Sequence, residues 1–161
     1  MVILIMGVAG SGKTTVGRAL ATALGWDFRD ADEFHPPANI AKMAAGQPLT
    51  DADRAPWLAA IRAYLDERLA LGENAIVTCS ALKEAYRAAL ISDPARVRLV
   101  HLTGDPALLA ARLAGRRDHF MKPTMLASQL AALESPRDAL TVDIADPPDA
   151  IVAQIRRALS V

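Results

Sequence analysis

The chain has 161 residues, of which 52% are hydrophobic and 22% are charged, so it can bury one domain-sized core and is not a disordered tail. Eighteen Lys and Arg residues balance eighteen Asp and Glu residues, which argues against a basic surface for nucleic acid or for an anionic membrane. The single cysteine, Cys79, cannot form an intrachain disulfide, and no apolar run approaches the ~18 residues of a membrane span. We therefore expect a soluble, cytoplasmic protein without nucleic-acid or membrane partners.

The hydrophobic pattern predicts short strands that alternate with helices along the chain. The predicted strands span residues 2–6, 26–29, 75–79, 98–102 and 140–144. The predicted helices span residues 14–24, 53–71, 81 to about 90 after a Ser80 cap, 105 to about 117, 125–133 and 148–159. This order is typical of βαβ units, so we expect a single α/β domain over residues 1–161, with a parallel sheet and helices on both faces. Periodicity leaves the strand order open.

The strongest motif lies between the first predicted strand and the first predicted helix. It is a complete G-x-x-x-x-G-K-T, formed by Gly7, Val8, Ala9, Gly10, Ser11, Gly12, Lys13 and Thr14. Glycines let backbone N–H groups turn toward phosphate oxygens, and the following helix adds its positive N-terminal end. Lys13 would contact the β- and γ-phosphates, and the Thr14 hydroxyl would be a Mg²⁺ ligand. A glycine-rich turn without a ligand is the alternative, but motif and context together favour a nucleoside triphosphate site.

A nucleotide site leaves two classes of function open, a small-molecule kinase and a nucleotide-dependent switch that binds a partner. A GTPase switch would normally carry Asn-Lys-x-Asp to read guanine. Asn39 and Asn74 are the only asparagines, and neither is followed by lysine. The third predicted strand ends in Cys79-Ser80 and not in an acidic residue. The metal-side and catalytic carboxylates must therefore come from elsewhere.

Two aspartates, Asp30 and Asp32, follow the second predicted strand. In an extended segment, residues two apart point to the same side and lie roughly 6–7 Å apart at Cα. The carboxyl ends of parallel strands face the ligand crevice, so this pair would point toward the phosphates. One carboxylate could hold a metal-bound water while the other accepts the proton of an attacking hydroxyl. The alternative is that both are solvated loop residues or helix caps.

Longer motifs surround this pair. They are D-x-D-x-x-H-P from Asp30, N-I-x-K-M from Asn39, G-x-P-L-x-D-x-D-R-x-P-W-L over residues 46–58, and C-S-A-L-K-x-x-Y-R over residues 79–87. His119-Phe120-Met121, Ser128-Gln129 and Leu133-Glu134 extend the pattern, which covers residues 2 to about 144. In these motifs the sequence resembles the gluconate kinases. Shikimate and nucleoside monophosphate kinases share the phosphate loop and general layout, but they lack the H-P and D-R-x-P-W-L signatures.

The resemblance implies ATP:D-gluconate 6-phosphotransferase activity with ATP and Mg²⁺, and a product that feeds the pentose phosphate or Entner–Doudoroff route. It also implies a P-loop kinase fold with strand order 2-3-1-4-5, a substrate-binding insertion at about 33–57, a mobile lid at about 116–124 and usually a homodimer. Asp32 would be the substrate-side catalytic carboxylate and Asp30 the metal-side one. The sequence departs from the family at Ala31, where glycine is common, and at Lys122-Pro123, in a stretch that varies among related proteins.

Further polar residues are candidates for contact with the substrate. They are His35, Arg54, Ser80, Lys83, Arg87 and His119. The structural alternatives are a surface ion pair for Arg54, a solvated helix face for Lys83 and Arg87, and a turn cap for His35.

Two more positions are candidates on the nucleotide side. Arg116 and Arg117 precede the predicted lid, where Arg116 would act on the transferring phosphoryl group. Paired arginines at a helix C-terminus are also expected from the helix dipole alone. Asp146 follows the fifth predicted strand, where related kinases form part of the adenine pocket.

Overall fold

The structure is a computed structural model that describes residues 1–115 and 123–161, with residues 123–125 described by their backbone alone. Within these residues, five strands form one parallel sheet in the order β2-β3-β1-β4-β5. The strands are β1 (Val2–Met6), β2 (Asp27–Asp30), β3 (Ala75–Thr78), β4 (Val97–Thr103) and β5 (Leu140–Asp143). The predicted α/β class and the strand order implied by the resemblance are both confirmed.

Helices connect the strands and cover both faces of the sheet. They are α1 (Lys13–Leu24), α2 (Pro37–Ala44), α3 (Asp51–Ala70), α4 (Glu84–Leu90), α5 (Pro106–Ala114), α6 (Pro123–Ala132) and α7 (Pro148–Leu159), and a 3-10 helix, Ala31–Phe34, follows β2. Across the described parts of the chain, none of the helices has the length and apolar character needed to span a membrane.

β1 is the centre of the fold, and all five of its residues are buried. Successive side chains of a strand point to opposite faces, so β1 contributes to two separate cores. Ile3 and Ile5 belong to the core that includes buried residues of α1, α5 and α7. Val2, Leu4 and Met6 belong to the core that includes buried residues of α3 and α4. This double burial makes β1 a rigid support for the loop that follows it.

The predicted helix after β3 begins later than expected. Ser80 does not cap it, because α4 starts at Glu84 and Lys83 is its N-cap residue. Between them the backbone turns at Ala81, which has a φ of 44°. The carbonyls of Ala81 and Leu82 accept hydrogen bonds from the buried guanidinium of Arg87 and are therefore not available to an earlier helical turn.

The segment between β2 and α3 is also more helical than the sequence pattern predicted. The 3-10 helix and α2 both lie in it, and α2 begins with a proline at its first position, where the missing N–H costs no hydrogen bond. α3 starts at Asp51 and not at residue 53, because Thr50 and Asp53 form a reciprocal capping box. Beyond that start, the predicted buried stripe of α3 is confirmed at Trp57, Ile61 and Leu65.

Candidate active site

The loop from Gly7 to Thr14 leaves the carboxyl end of β1 and enters α1, as the motif requires. Gly10 has a φ of 81°, and a Cβ there would lie 2.8 Å from the carbonyl oxygen of Leu109. Gly12 also has a left-handed φ, of 82°, immediately before α1. These conformations strain any other residue, so the loop needs glycine at both positions. The Lys13 ammonium donates to the Val8 carbonyl at 3.0 Å, which folds the lysine back over the loop.

Asp30 is positioned at the end of β2, directly beside this loop. Its Oδ2 accepts a hydrogen bond from the Thr14 hydroxyl at 2.8 Å, and its Oδ1 accepts one from the Asp32 backbone N–H at 3.2 Å. Asp30 therefore caps the 3-10 helix, which is the structural alternative considered for it, and also contacts the first turn of α1. The metal-side role of Asp30 stays a prediction.

The expected extended geometry of the Asp30–Asp32 pair is wrong. Asp32 lies in the 3-10 helix and not in an extended strand, because the Asp30 carboxylate captures its backbone N–H. The two carboxyl groups nevertheless line one open cavity together with Lys13 and Thr14. The side chain of Asp32 is 78% exposed, so it can meet a ligand that enters from solvent.

The residues present fit a magnesium ion bound together with a nucleotide. Among the described residues there is no group of three or more His, Cys, Asp or Glu side chains that could hold a metal alone. Mg²⁺ usually takes one or two protein oxygens and completes its octahedron with phosphates and waters. The Thr14 hydroxyl and the Asp30 carboxylate, already in contact beside the phosphate loop, supply two such hard oxygen donors.

Cys79 and Ser80, just beyond the end of β3, line the same cavity. Burial raises the pKa of the Cys79 thiol to about 12, so this group stays protonated at neutral pH and is not a nucleophile. Ser80 lines this cavity together with the two aspartates, whereas Arg87 does not line it. Arg87 is buried and its Nη1 is 3.0 Å from the Ala81 carbonyl and 2.9 Å from that of Leu82.

His35 lies next to Asp32 but is nearly enclosed, with 6% of its side chain exposed. Its ring stacks on Trp57 at a centroid distance of 4.5 Å and an interplanar angle of 7°, and its Nε2 lies 4.0 Å from Asp32 Oδ1. Burial lowers the pKa of His35 below its ordinary value, with Asp32 opposing the shift and Arg54 adding to it. His35 is therefore suited to a neutral contact rather than a charged one.

Arg54 and Lys83, both predicted to contact substrate, meet around Asp51 at the N-terminus of α3. Lys83 Nζ lies 3.0 Å from both carboxylate oxygens of Asp51, and Tyr86 donates its hydroxyl proton to the same carboxylate. Arg54 Nη1 donates to the Leu49 carbonyl at 2.7 Å and lies 3.5 Å from Asp51 Oδ1. Hydrogen bonds from Tyr86 and Lys83 lower the pKa of Asp51 below its ordinary value. The structure thus brings the two cations together, each with a protein partner.

A second cavity borders the phosphate loop, and it is lined by Asp146, for which the adenine-pocket role stays a prediction. Arg112, Pro148 and Ile151 line it together with Gly10 to Gly12 and the start of α1. Arg112 Nη2 donates to the Ile144 carbonyl at 2.7 Å, which fixes its guanidinium at the cavity wall. Sequence reasoning missed Arg112, although its position four residues before Arg116 in the sequence was a usable signal.

Gln129 is the other site residue whose position sequence reasoning did not predict. It was noticed only as part of a family motif, but its carboxamide lines the cavity of the two aspartates. Arg116, Arg117 and His119, and most of the predicted lid at 116–124, lie outside the described residues. α5 ends at Ala114, before the predicted lid, and α6 begins at Pro123, inside its predicted bounds.

The chain is similar to known proteins along almost its whole length. The family described as "AAA domain" matches residues 2–138. A gluconokinase from Gluconobacter oxydans is 48% identical over 158 residues, covering 96% of this chain and 89% of that protein. The crystal structure of a gluconokinase from Sinorhizobium meliloti superposes with a TM-score of 0.82 at 45% identity, over 98% of this chain and 94% of the other. A sugar kinase from Janibacter sp. superposes with a TM-score of 0.91 at 40% identity, over 99% of this chain and 94% of the other.

The phosphate loop, the parallel sheet in the order 2-3-1-4-5 and the similarity along almost the whole chain lead to one assignment. The protein belongs to the gluconokinase family of P-loop kinases.

Proposed function

We propose that this enzyme transfers the γ-phosphoryl group of ATP to the 6-hydroxyl of D-gluconate and releases 6-phospho-D-gluconate and ADP. The observation that carries the proposal is the single cavity in which the phosphate loop meets the Asp30–Asp32 pair. Phosphoryl transfer needs a phosphate cradle and an acidic group for the attacking hydroxyl, and both face the same space. The gluconokinases to which the chain is similar supply the choice of substrate.

The proposal assigns a chemical role to each candidate residue on the nucleotide side and to Asp32. Backbone N–H groups of the phosphate loop hold the β- and γ-phosphates, and Lys13 neutralises the charge that spreads over the transferring group. Asp32 orients the 6-hydroxyl and accepts its proton as the oxygen–phosphorus bond forms. Thr14 and Asp30 would hold Mg²⁺, which supplies additional neutralisation of phosphate charge when bound. Arg116, in the proposed lid, would act on the same charge.

The acceptor side needs a counter-charge for the gluconate carboxylate. We assign this role to Arg54 and Lys83, and His35 with Ser80 would contact hydroxyl groups of the sugar acid. Because Asp51 already pairs with both cations, gluconate would share or replace that carboxylate. A guanidinium has five donors, so Arg54 can keep its bond to Leu49 while it binds a substrate carboxylate. Arg87 would act indirectly by holding the loop that carries Ser80.

Assembly and location remain predictions. A homodimer is proposed on the strength of the family resemblance alone. A cytoplasmic location is proposed because the reaction consumes ATP. Size-exclusion chromatography with light scattering tests the first, and fractionation of the producing cell tests the second.

A coupled assay of ADP release across sugar acids and neutral sugars tests the proposed activity. ADP formation that depends on gluconate and on Mg²⁺ is the expected result. The competing hypothesis, a nucleotide-dependent switch, predicts slow hydrolysis that no sugar acid changes and that a protein partner accelerates. That second pattern would overturn the proposed function.

A further inference from the structure

Gln129, on α6, reaches across the cavity to the phosphate loop. Its Oε1 accepts a hydrogen bond from the Ala9 backbone N–H at 2.6 Å, between residues 120 positions apart in sequence. The helix that carries Gln129 packs on the core, because its residue Leu126 is only 5% exposed and belongs to the same hydrophobic core as Ile3 and Ile5 of β1. A helix that is anchored in the core by Leu126 therefore presents an acceptor directly to the loop.

The donor in this bond belongs to the phosphate-binding motif itself. Ala9 lines the same cavity as Gly10, Gly12 and Lys13, and the backbone N–H groups of such a loop are the donors that hold phosphate oxygens. A phosphate oxygen is charged, and charge-assisted hydrogen bonds are roughly twice as strong as neutral ones. The Gln129 carbonyl and a phosphate oxygen therefore compete for one N–H, and the phosphate is the stronger competitor.

α6 also contacts the acceptor side of the site. Just beyond its end, the Glu134 backbone N–H donates to the Leu82 carbonyl at 2.9 Å, and the Glu134 carboxylate accepts from the Glu84 backbone N–H. Leu82 and Glu84 flank Lys83, a proposed substrate contact. The backbone from Gln129 to Glu134 and the two hydrogen bonds at Glu134 thus connect Gln129 to the loop that presents Ser80 and Lys83.

We propose that Gln129 is a positioning residue that couples the phosphates of the nucleotide to α6. The bound triphosphate takes the Ala9 N–H, the Gln129 carboxamide leaves it, and α6 readjusts together with the acceptor loop. The proposal rests on the proposed use of ATP by this loop, but it concerns a step that precedes transfer. In this proposal, nucleotide binding acts through Gln129 to change the position of the loop that presents Ser80 and Lys83.

The test is nucleotide affinity measured by calorimetry without gluconate, for wild type, Gln129→Leu and Gln129→Glu. Gln129→Leu removes the competing acceptor, so ATP and inorganic tripolyphosphate should bind about 2- to 10-fold more tightly, which is the value of one net hydrogen bond. Gln129→Glu places a charged competitor at the same N–H, so both ligands should bind at least about tenfold more weakly. Gln154→Leu makes the same chemical change on α7, outside the lining of either cavity, and should leave both affinities unchanged.

A merely structural role for Gln129 predicts a different pattern, since loss of support for the loop would weaken binding in Gln129→Leu as well. Weaker or unchanged ATP binding by Gln129→Leu overturns the proposal. Gln129→Asn keeps the amide but shortens its reach, so it repeats the test if the leucine variant does not fold. Because gluconate is absent, a failed gluconate assay has no bearing on this result, whereas wild type that binds no ATP would refute the nucleotide half of the proposed function.

Hydrogen exchange gives a readout besides affinity. ATP should change the exchange of backbone amides at 126–134 in wild type, because the contact to Ala9 is exchanged for a phosphate. In Gln129→Leu the same amides should respond less to ATP. Equal responses in the two proteins would contradict the coupling.

Discussion

The two sides of the candidate active site are built in different ways. The nucleotide side is one continuous loop whose shape is set by backbone conformation, with left-handed glycines at positions 10 and 12 and a buried strand beneath them. The acceptor side is assembled from the turn after β2, the N-terminus of α3 and the loop before α4, and side-chain contacts hold it together. A local motif can therefore specify the first side, whereas the second depends on the whole fold.

The difference extends to charge. On the nucleotide side the Lys13 ammonium donates to the Val8 carbonyl of the phosphate loop. On the acceptor side, Lys42 holds Asp53 at 2.7 Å and lowers the pKa of that carboxyl group to about 2, and Asp51 binds Lys83. An anionic substrate on the acceptor side would therefore have to share or replace the Asp51 carboxylate. Variants on the two sides should accordingly fail in different ways.

The largest effect is expected on the nucleotide side, from Lys13→Ala. Loss of the cation at the transferring phosphoryl group should lower kcat/KM for ATP by about 10³-fold with gluconate saturating. Lys42→Ala, which removes a lysine outside the phosphate cavity, should leave the KM for ATP unchanged. Steady-state kinetics on both variants, with circular dichroism to confirm folding, give the answer. Wild-type turnover in a folded Lys13→Ala protein would contradict the assigned role of the phosphate loop in catalysis.

Asp32→Asn should separate chemistry from nucleotide binding. Asparagine keeps the shape of the side chain but cannot accept a proton, so kcat should fall by about 10²-fold, toward the low end of general-base effects because the transition state is loose. The Kd for ATP should remain close to that of wild type. Asp66→Asn, which alters an exposed carboxylate on α3, is the matched control and should leave kcat unchanged.

The roles of the two aspartates can be checked against each other. Asp30→Asn should raise the Mg²⁺ concentration needed for half-maximal activity, whereas Asp32→Asn should not. If Asp32→Asn is harmless and Asp30→Asn lowers kcat without altering the Mg²⁺ dependence, the two assignments are reversed.

A smaller effect is expected on the acceptor side, from the charge of the substrate. kcat/KM for gluconate should exceed that for sorbitol by at least about 10²-fold, because an unpaired donor left by the neutral analogue costs binding energy. Arg54→Ala should reduce this ratio by about tenfold. The reduction should come from a lower kcat/KM for gluconate and not from a higher kcat/KM for sorbitol. Arg62→Ala, on the same helix but paired with Asp66, should leave the ratio unchanged. Equal efficiency of gluconate and sorbitol in wild type would refute recognition of the acid.

The smallest catalytic effect is expected from Trp57→Phe, which tests how the acceptor side is supported. The buried indole Nε1 donates to the Ala31 carbonyl at 2.7 Å, between the two aspartates. Phenylalanine leaves that carbonyl without its donor, so the free energy of unfolding should fall by about 1–3 kcal/mol while kcat falls only a few-fold. Trp26→Phe, at a half-buried tryptophan packed on the opposite core, should cost less. A denaturant titration that ranks the two variants in the other order would contradict this supporting role.

Most of the fold was predictable because its signals are local. The strand segments, the phosphate loop and the buried stripe of α3 can each be recognised within a window of about 20 residues. The misplaced start of α4 has a different cause, since the side chain of Arg87 reorganises the carbonyls upstream of it. The geometry of Asp32 was mispredicted for a similar reason, because Asp30 acts as a cap as well as a candidate metal ligand.

Long-range contacts set the limit of prediction at the site. The bond from Ala9 to Gln129 joins residues 120 positions apart, and the contact of Arg112 with Ile144 spans 32. Nothing in the residue pattern near Gln129 indicates that its carboxamide reaches the phosphate loop. Similarly, the pairing of Lys83 with Asp51 depends on how α3 and α4 pack, so the sequence identified the cations but not their partner.

The central claim is that phosphate is transferred to the terminal hydroxyl of gluconate, and identification of the product tests it most directly. Uniformly ¹³C-labelled gluconate, ATP, Mg²⁺ and enzyme are incubated, and the product is examined by ¹³C and ³¹P nuclear magnetic resonance. The account predicts one phosphomonoester whose phosphorus couples to the terminal CH₂ carbon, formed in equal amount to ADP. ADP formed without a phosphorylated sugar acid, or phosphate attached to another carbon, would contradict it.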